Sequence, residues 1–118
     1  MDYDPLKRLI TNDAALRLLH VNEKFRELDR EVPGQVVAMF LYIASHNPCH
    51  KMAIEEDLEF TTASASRNLQ WLTGTKRNGK PGMNLVEKTT EEGSRRILCR
   101  LTTEGKVFID QILSILND

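Results

Sequence analysis

The chain has 118 residues, 41% of them hydrophobic and 28% charged, with a net charge of −1, two cysteines and no repeat. That length and composition point to a single globular domain spanning 1–118 and exclude a disordered or low-complexity chain. No apolar run approaches the ~18 residues that a membrane span needs, no basic start or apolar run marks a secretion signal, and two cysteines are too few for a disulfide framework. A cytoplasmic protein with both thiols free is therefore expected.

Residues 4–31 read as mainly helical, with apolar positions at Leu6, Leu9, Ile10, Leu16, Leu19, Phe25 and Leu28. Thr11-Asn12-Asp13 interrupts them, either as a kink or as a new helix start, because Asn and Asp favour caps. Val32-Pro33-Gly34-Gln35 is a boundary, and proline suits the first turn of a following helix. Val36, Val37, Phe40, Ile43 and Ala44 then make the core face of a helix over residues 34–46, which Asn47-Pro48 ends. His46, Cys49 and His50 cluster around that turn. As metal ligands they lack the fourth partner that a structural zinc site requires, so a polar loop is expected there, with no metal and no cofactor.

Residues 52–73 read as two short helices joined by a tight turn. Ile54 and Leu58 share one face of the first. Thr61 or Thr62 can cap the second, with a hydroxyl accepting from a first-turn N–H. Ala65, Leu69 and Leu72 repeat at i, i+4 and i+7 and face the core. The opposite face carries Ala63, Ser66, Arg67 and Gln70. It is small and polar with one long cation, as a helix entering a DNA major groove requires. Glu55, Glu56, Asp57 and Glu59 read as a solvated helix face or turn, and no catalytic constellation stands out.

The stretch from Thr73 to Asn84 holds three of the six glycines, a proline and three cations. It reads either as an added arm touching DNA backbone or as a solvated insertion. Trp71, on the flank of the preceding helix, should pack near the base of the following strands. Residues 85–101 read as a strand, a polar tip and a returning strand, with Arg95 and Arg96 at the tip. Residues 103–117 form the last helix, capped by Thr102, with Glu104 in a first turn that favours acids. Its apolar positions, Phe108, Ile109, Ile112, Leu113, Ile115 and Leu116, cover an arc of about 160°, wider than one small core usually accepts.

Helix, helix, then a hairpin with arginines near its tip is the order of a winged helix-turn-helix. The chain resembles the MarR-type winged-helix regulators in Leu85-Val86-Glu87-Lys88, in Ser94-Arg95-Arg96 and in Leu101-Thr102-Thr103-Glu104-Gly105-Lys106, with similarity over about residues 33–113. It departs from that family's pattern at Glu55 and Glu59, where a small residue and a turn glycine are usual. Ser94 replaces the wing aspartate, and the loop 73–84 is an addition. The resemblance implies a mainly α fold with a small β-hairpin wing. It also implies a homodimer built from the terminal helices, about residues 4–31 and 103–117, through Leu6, Leu9, Ile10, Phe108, Ile109, Ile112, Leu113, Ile115 and Leu116. A monomer whose terminal helices cover each other is the alternative.

The charge distribution agrees with a nucleic-acid partner. Residues 61–106 hold nine Lys/Arg and four Glu, a balance of +5, while the rest of the chain is net negative. The reading is a dimeric, sequence-specific binder of double-stranded DNA, a transcriptional regulator whose small-molecule effector, if any, is unidentified. Arg67 and Gln70 are its base readers. Thr61, Thr62, Ser64 and Ser66 contact phosphates or base edges. Arg95 and Arg96 follow the minor groove, and Lys76, Arg77 and Lys80 add backbone contacts. Two other readings stand beside it: a protein-interaction module using the same surface, and a DNA-binding protein of replication or DNA architecture.

Overall fold

The computed structural model describes residues 8–74 and 79–118, which form five helices and a three-stranded antiparallel sheet. The first helix, α1, spans Asp13–Leu28. Asn12 caps it, its side-chain oxygen accepting from Ala15 N at 2.8 Å, so the interruption at residues 11–13 is a helix start. The expected helix over 4–31 is thus shorter, and residues 8–12 are not helical. Helix α2 spans Gly34–Ser45; Pro33 sits at its N-cap, and the Pro33 carbonyl accepts from Val36 N and Val37 N. Asn47-Pro48, a cis peptide, follows the end of α2.

The expected polar loop at 46–50 is corrected here. Cys49–His50 form a short edge strand, β1, paired antiparallel with β3, which spans Ile97–Leu101. The Asn47 side chain accepts from Leu101 N at 2.9 Å and pins the turn to the far end of β3. On the other side of β3 lies β2, Val86–Thr90, in the register Val86↔Leu101 to Thr90↔Ile97, so the sheet order is β1-β3-β2. A strand of two residues carries too little alternation to show in the sequence, and only the pairing makes it visible.

Helix α3, Lys51–Leu58, follows β1 directly, and α4, Thr62–Leu72, follows after a turn. Glu59 closes α3 in the left-handed region at φ 56°, the conformation a glycine adopts without cost at this position. Helix α5, Thr103–Asn117, ends the chain; the Thr102 hydroxyl accepts from Gly105 N at 2.9 Å, the cap expected from the sequence.

The core joins every helix to the sheet. Phe25, Phe40 and Phe108 meet edge to face in a three-way cluster, with ring centroids 5.0–5.7 Å apart. Met39, Ile43, Ile54, Leu69, Leu72 and Val86 complete it. Gly105 is a close-approach position: a Cβ there would lie 2.0 Å from the Leu85 carbonyl oxygen, so α5 can touch the chain entering β2 only because this residue is glycine.

The loop after α4 is not a free arm over its whole length. Met83 N donates to Trp71 O, Leu85 N to Leu72 O, Asn84 N to Thr73 O and Gly82 N to Gly74 O, all at 2.9–3.1 Å. These bonds satisfy carbonyls at the end of α4 that otherwise lack partners and hold the loop's two ends together. Gly82 is the second close approach, its imagined Cβ 2.0 Å from Thr73 O.

Candidate nucleic-acid interface

Helix α4 is held at its N-terminus, along its inner face and at its C-terminus, which leaves one surface free. Thr61 caps it, accepting from Ser64 N at 3.0 Å. Ala65, Asn68, Leu69 and Leu72 are buried. Arg67 and Ala63 are exposed, and Ser66 and Gln70 are half-buried, on the opposite side. The i, i+4, i+7 spacing therefore assigned this helix's two faces correctly, apart from Asn68.

Asn68 is an inward polar residue that periodicity missed. Its amide donates to Gln35 Oε1 at 2.9 Å, and the Ser64 hydroxyl donates to the same oxygen at 2.9 Å. Asn68 and Ser64 lie one turn apart on one face, so a single glutamine on α2 ties two turns of α4. The Ser64 proton is thus committed inside the protein.

The Thr62 proton is committed as well. Its hydroxyl donates to Glu55 Oε1 at 2.8 Å, while Lys51 Nζ bonds Glu55 Oε2 at 2.8 Å and the Thr62 carbonyl at 3.3 Å. The Lys51 side chain is only 7% exposed and Glu55 18%. The Lys51 ammonium holds the Glu55 carboxyl below its usual range, and the Thr62 hydroxyl adds to that. Expectation and structure differ here: Glu55 is not part of a solvated acidic face but an anchor between α3 and α4. Asp57 is likewise engaged, accepting from the Tyr42 hydroxyl at 2.6 Å, a bond that pushes the phenol up to about 12. Glu56 and Glu59 remain exposed. Charge alone does not reveal these contacts, because Thr62 and Tyr42 come from other helices, although Lys51 lies one turn before Glu55 on α3 itself.

At the tip joining β2 to β3, Gly93 adopts φ 74°, Ser94 N donates to Glu91 O at 3.0 Å and Arg96 N donates to Ser94 Oγ at 3.1 Å. Ser94 accepts a backbone N–H as an Asp side chain does in a turn. Arg95 and Arg96 are exposed, with Glu91 and Glu92 on the same tip. His50 Nε2 stands 3.8 Å from the Glu91 carboxylate and has no hydrogen-bond partner among the described residues. Lys80 is exposed on the bend of the loop. Lys76 and Arg77 lie outside the described residues, as does Leu6.

The expected dimer residues separate into two groups. Phe108 and Ile112 point into the chain's own core, 7% and 1% exposed, which corrects their assignment to an intermolecular surface: Phe108 fills the aromatic cluster with Phe25 and Phe40. Ile109 and Ile115 are half-buried, whereas Leu113 and Leu116 are exposed, together with Val107. Leu9 and Ile10 are exposed and precede α1 rather than belonging to it. Helix α1 packs on α5, so the terminal helices cover part of each other and leave Leu113 and Leu116 exposed on one side of α5 and Val107 on another.

Among the described residues, no group of three His, Cys, Asp or Glu is placed to hold a metal ion, and no helix is long and apolar enough to cross a membrane. His46 lies at the end of α2 with its ring stacked on Tyr42, while Cys49 is buried in β1. Comparison with protein-family models, with curated proteins and with solved structures finds no match.

Proposed function

We propose that the chain is a winged-helix protein that binds double-stranded DNA, with α4 as the recognition helix and the β2–β3 hairpin as the wing. The observation that carries this reading is the free face of α4. Arg67 projects from the second turn of a helix whose start, inner face and end are all held, and it has no hydrogen bond or ion pair among the described residues. A long cation on a rigid, otherwise small and polar face matches the geometry of major-groove reading.

Arg67 and Gln70 are the proposed base readers, and Ser66 and Ala63 allow close approach. Thr61 retains a hydroxyl proton for a phosphate, whereas Thr62 and Ser64 have spent theirs internally and contribute by position. Arg95 and Arg96 give the wing its contacts with the backbone or the minor groove. The exposed Leu113 and Leu116, three residues apart on α5, form the proposed homodimer face, and two-fold symmetry would place two copies of α4 about one helical turn of DNA apart. Regulation of transcription is the role that fits such a symmetric, sequence-reading pair.

A second reading is a protein-docking module. It is favoured by the negative charge of Glu56 and Glu59 beside α4 and of Glu91 and Glu92 on the hairpin tip, which weakens the local attraction for phosphates.

The test starts from duplexes selected out of a random pool. Arg67→Ala should weaken the selected site by up to about a hundredfold, as loss of a bidentate contact worth about 1–3 kcal/mol requires, and a scrambled duplex much less. An unchanged ratio of the two affinities removes α4 as the reader. Absence of binding to any duplex at low salt favours the docking module.

A further inference from the structure

Cys49 and Cys99 are direct partners across the β1–β3 ladder, in the register Cys49↔Cys99 and His50↔Leu98. Both are free thiols and both are buried, Cys49 9% and Cys99 0% exposed. Side chains directly opposite on antiparallel strands project from the same face of the sheet. Their Cα atoms lie about 4.5–5.5 Å apart, inside the about 4.4–6.8 Å that a disulfide spans. Among the described residues β1, two residues long, pairs with β3 alone, so this edge can make the small adjustment that closure needs.

We propose that Cys49 and Cys99 form a cross-strand dithiol that closes to an intramolecular disulfide on exposure to a low-molecular-weight disulfide, and reopens with thiol reductant. Cys49, the slightly exposed partner at the sheet edge, is the entry sulfur. Its thiolate attacks one sulfur of the small disulfide, forming a mixed disulfide and releasing one small thiol. The Cys99 thiolate then attacks the Cys49 sulfur, the Cys49–Cys99 bond forms, and the second small thiol leaves. Two electrons pass to the small disulfide, and the two cysteine protons end on the two released thiols.

Burial sets the rate. Burial pushes the Cys49 thiol up and the Cys99 thiol up to about 11, and only the thiolate attacks. Closure is therefore slow near neutrality and speeds up as pH rises. The bond would join the strand that leads into α3 to the returning strand of the hairpin, and so enclose α3, α4 and β2 in one covalent loop. This inference does not depend on the DNA-binding reading, and its readouts are independent of DNA.

The experiment treats the folded, reduced chain with excess oxidised glutathione at mildly alkaline pH, then alkylates it under denaturing conditions. Intact mass should show a chain lighter by two hydrogens that takes up no alkylating agent, and non-reducing peptide mapping should join the Cys49 and Cys99 peptides within one chain. Cys99→Ser should stop at the Cys49 mixed disulfide, and Cys49→Ser should yield no closed product. The oxidised chain should unfold at a higher denaturant concentration than the reduced one, since a cross-link of this span restricts the unfolded ensemble, and reductant should abolish the difference. Thiols that are still alkylated after the treatment, a mixed disulfide that never closes in the parent, bonds only between chains, or a lower unfolding midpoint after oxidation would each overturn the proposal.

Discussion

Replacing Glu55 by Gln isolates the charge of the Lys51–Glu55 pair on α3, whose two members also hold Thr62 at the start of α4. The Lys51–Glu55 contact is 2.8 Å, and the ammonium is almost fully enclosed. At that separation and an effective dielectric constant of about 20, the gross attraction is about 6 kcal/mol. A glutamine carbonyl keeps one hydrogen bond but leaves the lysine charge without a counter-charge. Breaking a buried pair in this way costs about 3–5 kcal/mol. Glu55 is 18% exposed, so water recovers part of that, and a net loss of about 2–3 kcal/mol is expected.

Urea unfolding followed by Trp71, the one tryptophan, measures this loss. The double variant Lys51→Met/Glu55→Leu removes both charges and should lie within about 1 kcal/mol of the parent, because an apolar pair of similar volume replaces a desolvated ion pair at little cost. The pH dependence has a definite sign. The Glu55 carboxyl is lowered in the folded chain, so its contribution is fully present above the ordinary carboxylate value, about 4.3, and is lost as pH falls through the lower folded value. The gap between parent and Glu55→Gln should therefore be flat near neutrality and shrink in acid. A Glu55→Gln loss below about 0.5 kcal/mol, the scatter of ordinary surface substitutions, would refute the reasoning. So would a double variant no more stable than the single one.

Gly105→Ala should destabilise by more than about 2 kcal/mol in the same assay, because the new Cβ meets the Leu85 carbonyl oxygen at 2.0 Å and backbone must move. Glu59→Gly should leave stability unchanged or raise it by up to about 1 kcal/mol: relief of the left-handed φ of 56° outweighs or matches the greater freedom of glycine in the unfolded chain. Leu113→Glu/Leu116→Glu should abolish concentration-dependent association in sedimentation while leaving the thermal midpoint nearly unchanged, since both side chains are exposed. A parent chain that sediments at its own mass at high concentration would remove the dimer instead.

Local signals in the chain determined where most elements lie. The apolar spacing of Ala65, Leu69 and Leu72, the caps at Thr61 and Thr102, and the break at Asn47-Pro48 each act within a few residues, so each is legible without knowledge of the fold. The same holds for Arg67, whose outward position follows from helical periodicity alone. What depended on distant partners was not legible. Glu55 reads as a solvated acid until the Thr62 hydroxyl reaches it from α4, and Ser64 reads as a DNA contact until Gln35 arrives from α2 and takes its proton together with the Asn68 amide. The broad stripe of α5 shows how much apolar surface exists, but only packing against Phe25 and Phe40 decides that Phe108 belongs to the core while Leu113 stays outside. Cys49 and Cys99, fifty positions apart in the chain, become neighbours only through the strand register. Periodicity tells a residue which face of its own element it occupies; tertiary structure alone decides what that face meets.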